Sequence, residues 1–460
     1  MFDLCGKKIL VVGLARTGVA TSLFCARHGA LVTATDKRSE SELTEAAATL
    51  HPRNISLQFD GYTEKILAGQ DLVIPSPGVP ADSEILKSAR AQNIPVWSEI
   101  ELADRFLSGR LIGITGSNGK TTTTSLIEHI LKNSGYSTLL AGNIGAPLIG
   151  VVESTNDQTI TVAELSSFQL EWIATFRPNI SVFLNLTPDH LDRHGSMEAY
   201  GAAKARIFEK QTAADFAVLN ADDPASTPYA PAKPKLFWFS RKQRVAEGAF
   251  LHGEEIVFRH DGREEAILKQ PEIPLPGAHN LENVLAAAVV TRLAGAQPHQ
   301  IAKAVRSFAG VEHRLEFVAE HNGVRYYNDS KATNVDATRK ALDAFPGRIL
   351  IILGGKDKGS DYTVLKTPLR EKAVPALLLG SAAQKIESQI AGSVAVERAG
   401  TIERAVEIAW QTAQPGDVVL LAPACASFDQ FENYEHRGRV FKQLVHELKD
   451  HAARSASGKR

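Results

Sequence analysis

Three consecutive α/β blocks, each on a mostly parallel sheet, are predicted by three observations. Short apolar runs of strand length recur along the chain, among them Ile9–Gly13, Thr159–Glu164, Ile349–Leu353 and Asp417–Leu421. They alternate with helical patterns such as Thr17–His28, Met197–Gln211 and Thr401–Thr412. Such alternation brings parallel strands together under covering helices. Glycine-rich turns follow the opening strand of the first and second blocks, Gly13–Gly18 and Gly113–Gly119, where open α/β sheets carry their ligands. A length of 460 residues suits roughly three domains. The boundaries fall at 1–98, 99–310 and 311–449, with 450–460 left as a flexible tail.

In the first block Ile9–Gly13 reads as a buried strand, Thr17–His28 as a helix closed by Gly29, and Ala30–Asp36 as a second strand. Asp71–Pro75 is a third, ending in the turn Ser76-Pro77-Gly78, which makes the block Rossmann-like. The pattern fades near Trp97–Glu99. The second block opens at Leu111 and continues with strands Thr159–Glu164, Ile180–Asn185 and Phe216–Asn220 and helix Met197–Gln211. Leu236–Phe239, Ala249–Leu251 and Glu255–Phe258 read as short antiparallel β-segments before a helix Asn280–Leu293. The third block, also Rossmann-like, opens near Val311 with strands Ile349–Leu353, Ala376–Leu379 and Asp417–Leu421. Helices Thr401–Thr412 and Tyr434–Leu448 flank the last of these.

Composition excludes several classes. The apolar fraction of 44% and charged fraction of 22% are those of a globular protein. A formal net charge of −1 argues against nucleic-acid binding through bulk electrostatics. Cys5, Cys25 and Cys425 are scattered and odd in number, which points to a reducing compartment without disulfides. The N-terminus has no signal-peptide pattern and no apolar run is long enough to span a bilayer, so a cytoplasmic protein without membrane contact is expected. No heptad demands an assembly, and a monomer is the expectation.

The most specific motif is Gly113-Ile-Thr-Gly-Ser-Asn-Gly-Lys-Thr121, set between the apolar Leu111-Ile112 and a helical pattern. Glycines let successive N–H groups face a phosphate, Lys120 adds positive charge, and Thr121 offers a hydroxyl to Mg²⁺ at a helix N-terminus. The spacing departs from the strict phosphate loop, because Gly113 stands one residue early. ATP binding is the expectation. Gly13-Leu-Ala-Arg-Thr-Gly18 with Asp36 resembles a dinucleotide fingerprint, but Ala15 replaces its middle glycine. A nicotinamide site, a site for another nucleotide diphosphate and a ligand-free packed turn all remain open there. The second fits best beside an ATP site.

Glu164 and His190 sit at the C-terminal ends of predicted strands of the second block, where a carboxylate and an imidazole suit Mg²⁺ shared with phosphate oxygens. Taken alone, each is an ordinary loop residue, and Lys204 in Ala202-Ala-Lys-Ala-Arg-Ile207 is an ordinary solvent-facing helical lysine. Asn280 and Asn283, one helical turn apart, taken alone read as capping and surface polarity.

Several motifs occur in a fixed order: the phosphate loop, Glu164-Leu-Ser-Ser-Phe-Gln169, Thr187-Pro-Asp-His-Leu-Asp-Arg-His194, Ala202-Ala-Lys-Ala-Arg206, Gly277-Ala-His-Asn-Leu-Glu-Asn283 and Glu312-His-Arg314. Together they resemble the Mur ligase family of cell-wall peptide synthetases. Asn328-Asp-Ser-Lys-Ala-Thr-Asn334 and Pro423-Ala-Cys-Ala-Ser-Phe-Asp-Gln-Phe431 narrow the resemblance to members that add D-glutamate to UDP-N-acetylmuramoyl-L-alanine. It covers the chain up to about Lys449.

The resemblance implies an amide ligase that phosphorylates a carboxylate with ATP and displaces the phosphate with an amine. Gly116, Ser117, Asn118, Gly119, Lys120, Thr121 and Thr122 would hold the triphosphate. Asn280 and Asn283 would face the adenine, Asp329 the ribose and Arg314 the γ-phosphate. Because Arg314 and Asp329 belong to the third block, that block would have to close over the second. Thr121 and Glu164 would serve one Mg²⁺ and His190 a second, supported by a CO₂-derived carbamate on Lys204. Catalysis would rest on Lys120, Glu164, His190, Lys204 and Arg314. The UDP-substrate would meet Arg16, Thr17, Asp36, Lys37, Arg38, Ser76, Gly78, Asn143 and Gln169, with Lys37 a departure from the small hydroxyl residue usual there. D-Glutamate would meet His190, Lys331, Thr333, Lys356, Ser427 and Tyr434, the last at a position that tolerates other aromatics.

Overall fold

The computed structural model describes residues 2–62 and 64–457. Compactness divides the chain into two units, Met1–Glu272 with Glu282–Arg306, and Ile273–Leu281 with Ser307–Arg460.

The first unit holds two sheets. In the N-terminal sheet, β1 (Lys8–Val12), β2 (Leu31–Thr35), β3 (Ser56–Gln58) and β4 (Leu72–Pro75) are all parallel, in the order β3-β2-β1-β4. β1 is buried at Ile9, Leu10, Val11 and Val12, the continuous apolar run expected of a strand covered on both faces. The helix Arg16–Arg27 follows it, with Ala15 as its extended N-cap.

The central sheet has strands β5 (Arg110–Thr115), β6 (Ser137–Gly142), β7 (Thr159–Glu164), β8 (Ile180–Phe183), β9 (Phe216–Asn220), β10 (Lys235–Ser240), β11 (Gly248–His252), β12 (Glu255–His260) and β13 (Arg263–Lys269). Their order is β13-β12-β11-β10-β9-β8-β5-β7-β6, with β5 central between β7 and β8. One expectation is corrected here. β10 pairs parallel with both β9 and β11, and only β11–β12 and β12–β13 are antiparallel. Alternation marks a strand but not its direction, and the short Arg241–Glu247 connection imitates a hairpin. Gly248 makes the parallel pairing possible, because a Cβ there would lie 1.8 Å from the Trp238 carbonyl oxygen.

The first two blocks share one apolar core, which runs from Ile9 and Phe24 through Ile100 and Leu102 to Leu165 and Phe183. The helix Glu99–Asp104 joins them. Glu101, fully buried, accepts from the N–H groups of Ala174 (2.8 Å), Thr175 (2.9 Å) and Phe176 (2.8 Å), and from the Thr175 hydroxyl (2.7 Å). Arg105 completes the cluster at 2.7 Å.

At the end of the same helix, burial and then the Glu101 charge push Asp104 up to about 7 from 3.8. The folded protein therefore binds this proton more tightly than the unfolded chain between pH 3.8 and about 7, and stability falls as pH rises across that window. Asp104→Asn is expected to stabilise the protein at pH 8 by about 2 kcal/mol and by almost nothing at pH 4. Denaturant melts at the two pH values check this, and an equal effect at both would refute it.

The second unit carries β14 (Glu316–His321), β15 (Val324–Asn328), β16 (Ile349–Gly354), β17 (Ala373–Leu379), β18 (Val396–Gly400) and β19 (Val418–Leu421), in the order β14-β15-β19-β16-β17-β18. All pairs except β14–β15 are parallel. Helices on both faces give it two apolar layers. The last helix, Tyr434–Ser457, runs beyond Leu448, where the sequence pattern ended it. The end of the expected tail, 458–460, lies outside the described residues. No helix among the described residues is long and apolar enough to cross a membrane.

Candidate active site

The loop between β5 and the helix Lys120–Asn133 is shaped by two glycines with positive φ, Gly116 at 146° and Gly119 at 84°. A Cβ on Gly119 would meet Asn283 Oδ1 at 2.4 Å, so the loop rests directly on the helix Ala278–Ala294. Asn283 also accepts from the Thr123 hydroxyl at 3.1 Å. Asn280 donates to the Pro276 carbonyl at 2.7 Å. Both amides are buried, unlike the surface polarity their spacing alone suggests.

The loop's far side is fixed by Asn185, which accepts from the Asn118 N–H at 2.9 Å and donates to its carbonyl at 3.1 Å. Ser117 donates to the Thr187 carbonyl at 3.0 Å. Thr122, just inside the helix, is buried.

Lys120 folds back over its own loop, donating to the carbonyls of Gly116 (2.8 Å) and Ser117 (2.9 Å). Thr121 Oγ1 donates to Glu164 Oε2 at 2.8 Å, and Asn143 Nδ2 donates to Glu164 Oε1 at 2.8 Å. The register explains the first contact: Glu164 ends β7 opposite Ile114 of β5, at the C-terminal end of the strands, close to where the loop begins. Glu164 is 2% exposed.

Lys204 is not the solvent-facing lysine of the bare helical pattern. It is 1% exposed and donates to the Gly116 carbonyl at 2.8 Å, the same oxygen that Lys120 uses. Its ammonium lies 4.4 Å from the centre of the Tyr200 ring. Burial, and then the Lys120 charge, hold its pKa well below the usual lysine value, against the opposing pull of Asp189 and Glu164. The neutral amine is thereby favoured.

His190 lies past the end of β8 rather than on it. It caps the short helix Leu191–His194 in the left-handed conformation, φ 53°. Its ring packs edge-on against Phe168 at 5.0 Å and faces Tyr200 at 6.4 Å. The Tyr200 ring therefore borders both His190 and Lys204. Thr121, Glu164, Lys120 and Lys204 are brought together around the phosphate loop, with His190 beside Tyr200.

In the first block, Asp36 accepts from the Leu14 N–H (2.8 Å) and from Arg38 through its N–H, Nε and a terminal nitrogen (3.0–3.1 Å). Burial raises its pKa, but these bonds outweigh burial and hold it at about 2. Ser76 Oγ donates to the Gly13 carbonyl at 2.7 Å. Arg16 donates to the Gly145 carbonyl, near Asn143. Lys37 and Gly78 are exposed, and Thr17 opens the helix with its carbonyl accepting from Thr21 at 2.8 Å. Gln169 is buried, and its Oε1 accepts from the Ser166 N–H and hydroxyl at 3.0 Å.

In the second unit, burial drives Asp329 up to about 7 against the lowering effect of Arg314. The Lys331 ammonium stands 3.9 Å over the Tyr434 ring, so the ring face makes that contact rather than the hydroxyl. Thr333 N–H donates to the Lys331 carbonyl at 2.8 Å. The Lys356 and Ala426 backbones exchange bonds of 2.8 and 3.2 Å, which sets exposed Lys356 beside the segment carrying buried Ser427.

Sequence reasoning missed Arg437. It is fully buried, donating to the Ser330 hydroxyl (3.0 Å) and carbonyl (2.9 Å) and twice to the Cys425 carbonyl (3.2 and 3.3 Å). Its spacing of three from Tyr434 was the available signal. Asn185, within Asn185-Leu-Thr-Pro-Asp-His190, was another.

Three family models match: the Mur ligase MurD-like N-terminal domain at residues 7–98, the Mur ligase middle domain at 114–291, and the Mur ligase glutamate ligase domain at 313–425. A UDP-N-acetylmuramoylalanine–D-glutamate ligase from Koribacter versatilis is 52% identical over 97% of this chain and 98% of its own. One of the same name from Acidobacterium capsulatum is 53% identical over 96% and 97%. Among solved structures, the UDP-N-acetylmuramate-alanine ligase MurC of Thermotoga maritima matches with a TM-score of 0.60 at 19% identity, covering 96% of this chain and 99% of that one. The MurF ligase of Thermotoga maritima in complex with ADP matches with 0.60 at 18%, covering 97% and 100%. At such identities the structures speak for the fold alone. Near-complete coverage by relatives more than half identical decides the rest: the chain belongs to the Mur ligase family.

Proposed function

We propose that this protein is an ATP- and Mg²⁺-dependent ligase that joins D-glutamate to UDP-N-acetylmuramoyl-L-alanine through an acyl phosphate, in cytoplasmic peptidoglycan precursor synthesis, and works as a monomer. The observation that carries the reading is identity of 52–53% over nearly the whole chain with relatives bearing that activity in their names. The local chemistry agrees with it. Lys120 donates to the carbonyls of Gly116 and Ser117 and would exchange them for phosphate oxygens. The Gly116–Thr122 loop supplies N–H groups at a helix N-terminus.

Thr121, Glu164, His190 and Lys204 form an oxygen- and nitrogen-rich set that fits two Mg²⁺ ions, provided Lys204 carries no positive charge. At about 4 Å and an effective dielectric near 20, an ammonium would be repelled by a divalent ion by roughly 8 kcal/mol. The lowered pKa supplies the neutral amine that attacks CO₂. The new N–C bond forms a carbamate, one proton leaves, and repulsion becomes attraction. Magnesium, when bound, neutralises crowded phosphate oxygens so that an anionic carboxylate can approach the γ-phosphorus.

Lys331, Thr333, Lys356, Ser427 and Tyr434 offer two ammonium groups, hydroxyls and an aromatic face, suited to the two carboxylates of D-glutamate. For Asn280, Asn283, Asp329 and Arg314 the same reading keeps adenine, ribose and γ-phosphate as partners. Arg16, Thr17, Asp36, Lys37, Arg38, Ser76, Gly78, Asn143 and Gln169 remain the proposed UDP-substrate contacts.

The test is phosphate release from ATP, Mg²⁺ and UDP-N-acetylmuramoyl-L-alanine with a panel of amino acids. Release with D-glutamate alone is expected. Release with a different amino acid would make the protein a sister ligase, and equal release with none would make it a simple ATPase.

A further inference from the structure

Arg193 has no part in the chemistry above, yet its guanidinium joins three segments that do. Its Nη1 donates to the Pro77 carbonyl at 2.9 Å and its Nη2 to the Val79 carbonyl at 2.6 Å. Its Cζ lies 4.1 Å over the Phe168 ring, and the Glu171 carboxylate approaches to 3.7 Å. On its own element, the Arg193 N–H donates to the His190 carbonyl at 3.1 Å. The Phe168 ring is further packed by His190 edge-on and by His194, stacked at 5.4 Å. Serine 167 holds His194 with a 2.9 Å hydrogen bond.

We infer that Arg193 is a positioning residue that holds the Ser76–Val79 turn in the conformation that receives the diphosphate of the UDP-substrate, and ties that turn to the His190 loop. This rests on the proposed reading of the first block. In a trans peptide the N–H points opposite to the carbonyl, so fixing the Pro77 carbonyl on Arg193 aims the Gly78 N–H the other way. The turn is closed by the Val79 N–H to the Ser76 carbonyl (2.9 Å), and Ser76 bonds Gly13 of the neighbouring glycine turn. Arg193 thus grips one side of the turn while the Gly13 loop grips the other. A planar fork is needed to reach two carbonyls while packing over a ring; a lysine ammonium offers a single point of charge.

The test is binding of UDP alone and of Mg²⁺·ADP alone by calorimetry, in wild type, Arg193→Met and Arg193→Lys, with KM for each substrate. Arg193→Met is expected to weaken UDP binding by about tenfold and to raise KM for the UDP-substrate similarly. Binding of Mg²⁺·ADP should stay within about twofold, Arg193→Lys should fall between, and added guanidinium ion should restore part of the UDP affinity of Arg193→Met. Unchanged UDP affinity in a variant that melts like wild type overturns the inference, as does equal loss of UDP and Mg²⁺·ADP affinity. If Arg193→Met does not fold, Arg193→Lys decides between the same outcomes. Wild-type protein that binds Mg²⁺·ADP but not UDP overturns the reading of the first block itself.

Discussion

Lys204→Ala is expected to abolish ligation, lowering turnover by at least about a thousandfold, the scale of losing a buried charge that stabilises the transition state. A small carboxylic acid supplied at high concentration should restore part of that activity, by placing a carboxylate where the carbamate would be. Failure of the rescue, with Mg²⁺ binding normal, would count against the carbamate.

The same side chain makes a second, opposite prediction for stability. Folded Lys204 binds its proton more weakly than the unfolded chain does, so folding releases a proton between its lowered value and the usual 10.5. Stability from this group therefore rises with pH across that interval. Lys204→Met keeps the volume and removes the titration. It should be inactive and yet melt about 2 °C or more above the parent at pH 7, with a flatter dependence on pH. A lower melting temperature would mean that the amine is welcome in its pocket.

Arg437→Ala is expected to be among the most damaging single changes to the second unit. The guanidinium is fully buried, no carboxylate among the described residues lies within ion-pair distance, and burial lowers its pKa to about 10. Carbonyl oxygens of Ser330 and Cys425 satisfy it instead. Truncation would orphan those buried acceptors and open a cavity, costing about 3–5 kcal/mol and roughly 10 °C in melting temperature. Because Ser330 precedes Lys331 and Cys425 stands two residues from Ser427, the loosened segments are those proposed for D-glutamate. Its KM should rise while UDP affinity is unchanged. A thermal melt of the variant checks the first claim, and a shift below about 2 °C would refute it.

Legibility in the sequence followed local physics. β7 was read with its observed bounds because Thr159–Glu164 is buried throughout and ends at a residue with a ligand's chemistry. β6 escaped, since Ser137–Gly142 is mostly half-buried and shows no clean period. β14 escaped for a similar reason: it alternates weakly and is largely half-exposed. Direction was invisible in β10 and β11, whose pairing depends on a glycine's contact with a distant carbonyl. Ala15 in place of the middle fingerprint glycine was visible, and its extended N-cap geometry needs no glycine. Burial of Lys204 is a tertiary property, set by Tyr200 beneath it and the phosphate loop above, and the surrounding pattern Ala-Ala-Lys-Ala-Arg contains only the hint of small neighbours. For Arg437 the spacing of three from Tyr434 was a weak signal, because a local pattern does not distinguish an arginine that serves carbonyls from one that faces water.

The Glu101 cluster bears on how the polypeptide can be cut. A central fragment begun at Arg110, where its first strand starts, would lack the carboxylate that gathers four donors from Ala174–Phe176. It would also lose the Ser98 N–H, which donates to the Trp172 carbonyl at 2.9 Å. A fragment retaining this helix needs its start upstream of Ser98, so the connector between the first two blocks behaves as a cornerstone of the second rather than as a tether.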